Sequence, residues 1–344
     1  VPDALSSLHA LIARLPKVEL HLHLEGSIRP ETLRELAARK TWLKETVDDW
    51  ISERQRDFCR YGSFEKFLTA YVQVARMLEA PEDYALATTR LIEWLAGQRV
   101  KYAEVTLSAG VILWKKQPLD AVFEAIAQAA AEAGQRWGVR VQWIFDAIRQ
   151  FGVDHALAVL EGASRFRSQG VVAFGIGGDE TRGPAALFTD VYRRARDLGL
   201  HLTAHAGETA GPESIRDAAE LLGAERIGHG LTILRDPSVV ELVRGRGIPL
   251  EVCPTSNVAT GLIADFQEHP LPRFLEAGLN VTLNSDDPAM FGTSLEREFA
   301  LATSAFGLTF PQVVELSENA IHAAFLPEDQ RADLLRELHA VAES

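Results

Sequence analysis

The 344-residue sequence is short of the features that mark several protein classes. It holds only two cysteines, Cys59 and Cys253, far apart and in no Cys-x-x-Cys spacing. That excludes a disulfide framework and a cysteine-built zinc site, and makes a reducing compartment the expected setting. No run approaches the roughly 20 apolar residues that a membrane span needs, and residues 1–16 carry no long apolar core or cleavage-like ending. Leu5, Leu8, Leu11, Ile12 and Leu15 recur there at helical spacing instead. Positive charge is short as well: 35 Lys and Arg stand against 48 Asp and Glu, a net charge of −13. That balance argues against binding nucleic acid through its phosphates. There is no Gly-x-Ser-x-Gly elbow, no internal repeat, no low-complexity segment and no linker. The expectation is a soluble, cytoplasmic protein of one domain spanning residues 1–344.

What the sequence does contain is a rhythm. Strand-like runs fall at 17–26, 101–107, 139–145, 171–176, 200–206, 226–229, 248–253 and 279–283. Helical patterns fall between them at 118–136, 153–166, 184–198, 213–222, 238–244 and 270–277. Regular alternation with short connections implies parallel strands joined by crossover helices. Eight such units over about 300 residues predict a closed (β/α)8 TIM barrel, an α/β fold, rather than an open doubly wound sheet. The first crossover is too long for one helix. Ser27 is a plausible cap and Pro30 stands in the first turn of a helix over 31–38. Residues 41–98 then stay helical in character, with Trp42, Trp50, Phe58, Tyr61, Phe64, Phe67 and Tyr71 along them. They are expected as additional helices inserted after the first strand, forming a hydrophobic lid, with more helices at the C-terminus.

In such a barrel, chemistry is built at the C-terminal ends of the strands. The first strand alternates Leu20, Leu22 and Leu24 against His21 and His23, so both imidazoles project to one face. Taken alone, that pair reads as the wet face of an edge strand. Other strand ends carry Gly177-Gly178-Asp179-Glu180, His205-Ala206-Gly207-Glu208, His229-Gly230 and Ser285-Asp286-Asp287. Scattered in sequence, these groups converge on one rim. His21, His23 and His205, with a carboxylate from Asp286 or Asp287, make a nitrogen–oxygen ligand set that suits zinc, and also iron or manganese. A bound divalent ion lowers the pKa of its water from 15.7 to about 7. Glu208, three residues past His205, is placed to donate or shuttle a proton, and His229 to orient hydroxide or stabilise charge. Asp286-Asp287-Pro288 by itself reads as a helix cap. Gly175-x-Gly177 is followed by Glu180 where a dinucleotide fingerprint needs glycine, so phosphate cradling is discarded. His201 shares the strand phase of His205 one layer deeper and is read as structural. His9, His155, His269, His322 and His339 are expected at the surface.

In this order, the motifs resemble those of the adenosine deaminase family of the amidohydrolase superfamily, over residues 17 to about 325. The resemblance implies that His21, His23, His205 and Asp286 bind one zinc ion per chain. It implies that Glu208 protonates N1 of a 6-aminopurine and that His229 and Asp286 share in catalysis. Asp287 would hydrogen-bond N7 and the Gly178 N–H would meet N3, with His23 and Glu25 also facing the substrate. Many members that act on adenosine have Asp where this chain has Glu25, which looks like members acting on adenine or modified nucleosides. The stretch 253–261, Cys-Pro-Thr-Ser-Asn-Val-Ala-Thr-Gly, is more similar to the nucleoside-type pattern. Residues 107–114 resemble relatives that deaminate aminodeoxyfutalosine, a 5′-extended adenosine. The expected partner is therefore a small 6-aminopurine nucleoside, adenosine or a 5′-modified adenosine, with free adenine as the alternative. A metal-bridging lysine, the mark of binuclear relatives, is absent from 171–180. A catalytically silent nucleoside-binding barrel is the remaining alternative.

Overall fold

The computed structural model describes residues 2–40 and 60–343. The expectations placed on the Leu5 side chain, Trp42, Trp50, Phe58 and Cys59 lie outside the described residues. Eight parallel strands follow one another around a barrel: β1 (Lys17–His23), β2 (Val100–Leu107), β3 (Arg140–Ile148), β4 (Val171–Gly177), β5 (His201–Ala206), β6 (Arg226–His229), β7 (Leu250–Val252) and β8 (Val281–Leu283). The seam between β8 and β1 is not a regular ladder. The Asn284 side-chain oxygen accepts from the N–H groups of Leu20 and His21 at 2.9 and 3.2 Å. The Asp286 N–H then donates to the His21 carbonyl, and the His23 N–H to the Asp286 carbonyl, both at 3.0 Å. This single bridge, Leu22 to Asp286, closes the barrel at its C-terminal rim.

The helices lie outside. Helix α1 (Pro2–Arg14) precedes β1, and α2 (Pro30–Ala38), α3 (Phe64–Met77) and α4 (Pro81–Gly97) stand between β1 and β2. Helix α4 is the ordinary crossover; α2 and α3 are the insertion. Pro81 fixes the first turn of α4, and the Asp83 carboxylate accepts from the N–H groups of Glu79 and Ala80 and from Lys40 Nζ. Helices α5 (Ala109–Trp114) and α6 (Leu119–Trp137) follow β2, α7 (Val153–Arg165) follows β3, α8 (Thr189–Asp197) β4, α9 (Pro212–Asp217) β5 and α10 (Pro237–Arg246) β6. Helices α11 (Pro254–Ala259) and α12 (Leu271–Glu276) follow β7. Four more, α13 (Pro288–Phe291), α14 (Leu295–Ser304), α15 (Phe310–Ala323) and α16 (Glu328–Ala342), complete the chain. No helix among the described residues is long and apolar enough to cross a membrane.

Several boundaries differ from the sequence pattern, each for a local reason. Strand β7 begins at Leu250 rather than 248, because Pro249 has no N–H and the Ile248 N–H is taken by the Val243 carbonyl. The Leu279 N–H likewise goes back to Phe274, so β8 starts at Val281. Strand β3 runs on to Ile148, paired with Gly177 of β4, and so carries Asp146 to the rim. The helix expected over 213–222 is α9 followed by a π-helical turn, Ala218–Leu222, stopped by Gly223 at φ 63°. Ser27 does not cap α2: it sits in a 3-10 turn, and its hydroxyl donates to the His23 carbonyl at 2.5 Å.

Apolar strand residues alternate with a charged interior. Arg226, 1% exposed, pairs with Glu104 and Glu251 at 2.6 Å each and lies 3.9 Å above the Phe325 ring. Phe325 stacks in turn on His201 at 4.0 Å. An uncompensated guanidinium could not be held here; two carboxylates and a ring face make it tenable.

Candidate active site

The polar strand ends do meet. The ring centroids of His21 and His23 are 5.4 Å apart, those of His21 and His205 4.6 Å, and those of His21 and His229 4.9 Å. Asp286 reaches into this group, with Oδ1 3.6 Å from His21 Nε2 and 3.3 Å from His23 Nε2. Glu208 Oε1 lies 3.6 Å from His229 Nε2. His229 and Asp286 are both non-glycine residues with φ 63°. Such left-handed positions cost about 1–3 kcal/mol and concentrate at functional sites.

Each group is held by residues whose part the sequence did not reveal. Glu251 of β7 takes His21 Nδ1 at 2.8 Å, which leaves Nε2 on the side of Asp286 as a buried atom with no hydrogen-bond partner. The Ser256 hydroxyl donates to Asp286 Oδ2 at 2.6 Å. Buried Arg149 donates to the His205 and Gly183 carbonyls, fixing the end of β5. Glu180 is a carboxylate wrapped by backbone: Oε2 accepts from Gly207 N at 2.9 Å, and Oε1 from Glu208 N and Thr209 N at 2.8 Å each. It thereby shapes the turn that presents Glu208. Within the 178–180 motif, Gly178 lines the cavity while Asp179 is spent on Thr181. Asp146, absent from the sequence reading, lines it too. Cβ atoms built on Gly175 and Gly177 would come within 3.1 Å of its carboxylate oxygens, so these two glycines make its room.

The inner cavity, about 150 Å³, is lined by His23, Asp146, Gly178, His205, Glu208, His229, Asp286 and Asp287. Phe64, Phe67, Leu68, Tyr71 and Val72 of α3 roof it. Their spacing is that of one helix face, so the described part of the expected lid does lie over the site. Glu25 is buried and does not itself line the cavity. Its carboxylate accepts from Ser108 N and Tyr71 Oη at 3.2 Å each, and those two residues carry its influence to the wall. Beyond Glu208 an outer recess of about 660 Å³ opens between Phe64, Gln150, Asp179, Arg182 and Arg235. A larger groove of about 940 Å³ lies at the other end of the barrel, around Arg140, Gln142 and Trp143, away from every group above.

The electrostatics sort these groups. Burial pushes His23 down to about 4 and His205 well below its usual value, so both are neutral imidazoles, the form that ligates metal. Burial also opposes charge on His21, but Asp286 and Glu251 outweigh it and hold positive charge at this spot. A cation placed there would serve the same carboxylates. Ring nitrogens of His21, His205 and His229 lie within 4.8 Å of one another, as do ligand atoms of His23, Asp286 and Asp287, and His21 Nε2 is buried with no hydrogen-bond partner; these imidazole and carboxylate donors fit a divalent ion. Cys253 Sγ lies near His21 and Asp286, but burial raises its thiol far up and its hydrogen points to the Glu251 carbonyl. Burial first, then the charges of Asp286 and Glu180, pushes Glu208 well above the carboxylate range. Burial and the Asp286 charge do the same to Asp287, whose Oδ1 has no protein partner. Both shifts favour the protonated acid, the form that can donate a hydrogen bond.

The other histidines separate from this group. His201 is exposed at the opposite end of the barrel, paired with Glu225 at 2.9 Å. His322 and His339 are exposed, and His9 and His155 half-buried. His269 was expected at the surface and is not there: it is 3% exposed, enclosed by the turn before α12 and bonded to Asn257.

A parallel barrel with imidazoles and carboxylates converging at its C-terminal rim defines the class: a hydrolase of the amidohydrolase type, with a site that fits a metal. The chain belongs to the adenosine deaminase family, whose profile it matches over residues 16–341, and it is a hydrolase acting on carbon–nitrogen bonds of cyclic amidines. It is 39% identical over 339 residues to an aminodeoxyfutalosine deaminase of Streptomyces coelicolor, covering 98% of this chain and 87% of that one. Among solved structures, an adenine deaminase from Arthrobacter aurescens superposes with a TM-score of 0.89 at 30% identity, over 96% of this chain and 100% of the other. An amidohydrolase from Burkholderia ambifaria with bound Zn superposes with a TM-score of 0.84 at 27% identity, over 97% and 93%.

Proposed function

We propose that the protein hydrolyses the 6-amino group of an adenine nucleoside, adenosine or a 5′-modified adenosine such as aminodeoxyfutalosine, to the 6-oxopurine and ammonia. The observation that carries this reading is that His21, His205 and His229 gather in one group and His23, Asp286 and Asp287 in another, beside a cavity whose wall also holds Glu208, a buried carboxyl whose pKa is raised. His21, His23, His205 and Asp286 would hold one zinc ion, which when bound supplies Lewis acidity that makes hydroxide available at neutral pH. Glu208 delivers its proton to N1, drawing electrons from C6 so that oxygen can add there. Asp287 donates to N7, and the Gly178 N–H meets N3, so the ring is gripped at three nitrogens. His229 lies beside Glu208 and Asp286, where negative charge grows on the oxygen added at C6. The proton of the added hydroxyl then passes to the amine, the C6–N bond breaks as C6 becomes a carbonyl carbon, and ammonia leaves.

The inner cavity suits the purine, and the outer recess beyond Glu208 offers room for a group extended from the sugar. The first similarity above, to an aminodeoxyfutalosine deaminase, supports the extended substrate. The adenine deaminase neighbour and the small inner cavity favour free adenine as a second reading. Following the loss of the 6-aminopurine absorbance with aminodeoxyfutalosine, adenosine and adenine tests both. The highest kcat/KM is expected on a nucleoside. Turnover of adenine alone selects the second reading, and no turnover of any of the three by protein carrying one metal per chain refutes both.

A further inference from the structure

The segment after β7 carries a chain of hydrogen bonds that ends on His229 of β6. It starts from a backbone donor, whose polarity is fixed. The Leu271 N–H, at the start of α12, donates to His269 Nδ1 at 3.1 Å. That nitrogen is therefore unprotonated, and the proton of the neutral ring sits on Nε2. His269 Nε2 lies 3.1 Å from Asn257 Oδ1, which accepts it. The amide of Asn257 is thereby oriented, and its Nδ2 donates across 3.1 Å to His229 Nδ1. A neutral His229 that accepts at Nδ1 must carry its hydrogen on Nε2, the nitrogen that faces Glu208 and Asp286. All three side chains are buried: His269 is 3% exposed, Asn257 0% and His229 1%. Each link has one orientation that satisfies its neighbours, and no water is needed to complete the set.

We infer that Asn257 and His269 are positioning residues that lock His229 in the Nε2–H tautomer, so that it acts as a hydrogen-bond donor to the oxygen added at C6 and not as a base. The locked tautomer stands on geometry alone, while the donor's target rests on the deaminase reading above. The position of His269 supports the assignment. A buried imidazole beside the Phe306 ring, with both nitrogens used, spans from a helix start to the amide that meets His229. A leucine there would fill the space but could not set the direction of the amide.

The test is the ¹⁵N imidazole spectrum of zinc-loaded protein, with the His229 signals assigned by their loss in His229→Ala. Wild type is expected to show the Nε2–H tautomer. Asn257→Asp places an acceptor opposite Nδ1, so His229 should switch to Nδ1–H while zinc content is unchanged. Turnover should then fall by about 10²–10³-fold in kcat, the loss typical of removing one such donor, with KM little altered. His269→Leu should give mixed tautomers and lower kcat, and His269→Gln, whose amide can still donate to Asn257, should restore both. His229 protonated at Nδ1 in wild type overturns the inference, as does an Asn257→Asp protein with unchanged tautomer and kcat. Absence of turnover by wild type with an Nε2–H His229 refutes the deaminase reading and leaves the tautomer lock standing.

Discussion

Glu180 offers the sharpest single perturbation, because one carboxylate organises the turn that carries Glu208. Replacing it with glutamine keeps the size and one oxygen. The retained oxygen can still accept from Glu208 N and Thr209 N. The new NH2 group must then face Gly207 N–H, which now donates to Glu180 Oε2 at 2.9 Å. The Ser214 hydroxyl on the same oxygen can rotate to accept, but a backbone N–H cannot. One buried donor is left unsatisfied, a loss of about 1–3 kcal/mol. Relief of that clash would move the turn, and displacement of a reacting group by about 1 Å can cost 10²-fold in rate. A second effect has a definite sign. The negative charge of Glu180 is one of the causes that raise Glu208, after burial and Asp286. Removing it lowers the Glu208 pKa, and Glu208 must be protonated to donate. Activity should therefore begin to fall at a lower pH as pH rises. The assay is kcat/KM across pH, with zinc content and unfolding temperature measured on the same samples. Glu180→Gln with kcat/KM within twofold of wild type and an unmoved alkaline limb would refute this account of the turn.

Other expectations follow from the same geometry. Glu208→Gln should retain metal and lose nearly all turnover, whereas His205→Ala should lose metal; elemental analysis beside the assay separates the two. Gly26→Ala should be close to inactive, since a Cβ there would lie 1.6 Å from Asp287 Oδ1, and KM and kcat should both suffer. Chelation should lower thermal stability, because an ion bound only to the folded protein at 1,000 times its Kd contributes about 4 kcal/mol; calorimetry with and without chelator measures it.

The barrel and the rim of histidines were legible because their signals are periodic or chemically rare. Alternation at His21 and His23 states which way both rings point, and the spacing from His205 to Glu208 places a carboxylate one turn past a strand. What supports them was not legible. Glu251 and Ser256 come from a three-residue strand and a six-residue helix, too short to show a period. His269 stands before a proline in a polar stretch, which reads as loop surface; its burial comes from tertiary contacts, with the Phe306 ring 5.5 Å away and Asn257 at its Nε2. Asp146 needed the true end of β3, three residues beyond its apolar run. A signal did exist for the interior charges. Glu104 and Glu251 sit inside otherwise apolar runs, where a carboxylate is tolerated only beside a counter-charge, and Arg226 supplies it.

The closing seam gives the site a place in time as well as in space. His21 and His23 belong to the first strand, and Asp286 follows the last, so the bond from Leu20 to Asn284 spans 264 positions. Joining ends that far apart costs about 5 kcal/mol of loop entropy, offset at the seam by the Leu22–Asp286 bridge and by the side-chain bonds of Asn284 to Leu20 and His21 and of Glu19 to Ser285. No partial barrel can present this ligand set, since the group exists only once both edges have met. A cation shared between His21, His23 and Asp286 would act as a clasp on that joint, tying the maturation of the fold to the acquisition of its metal.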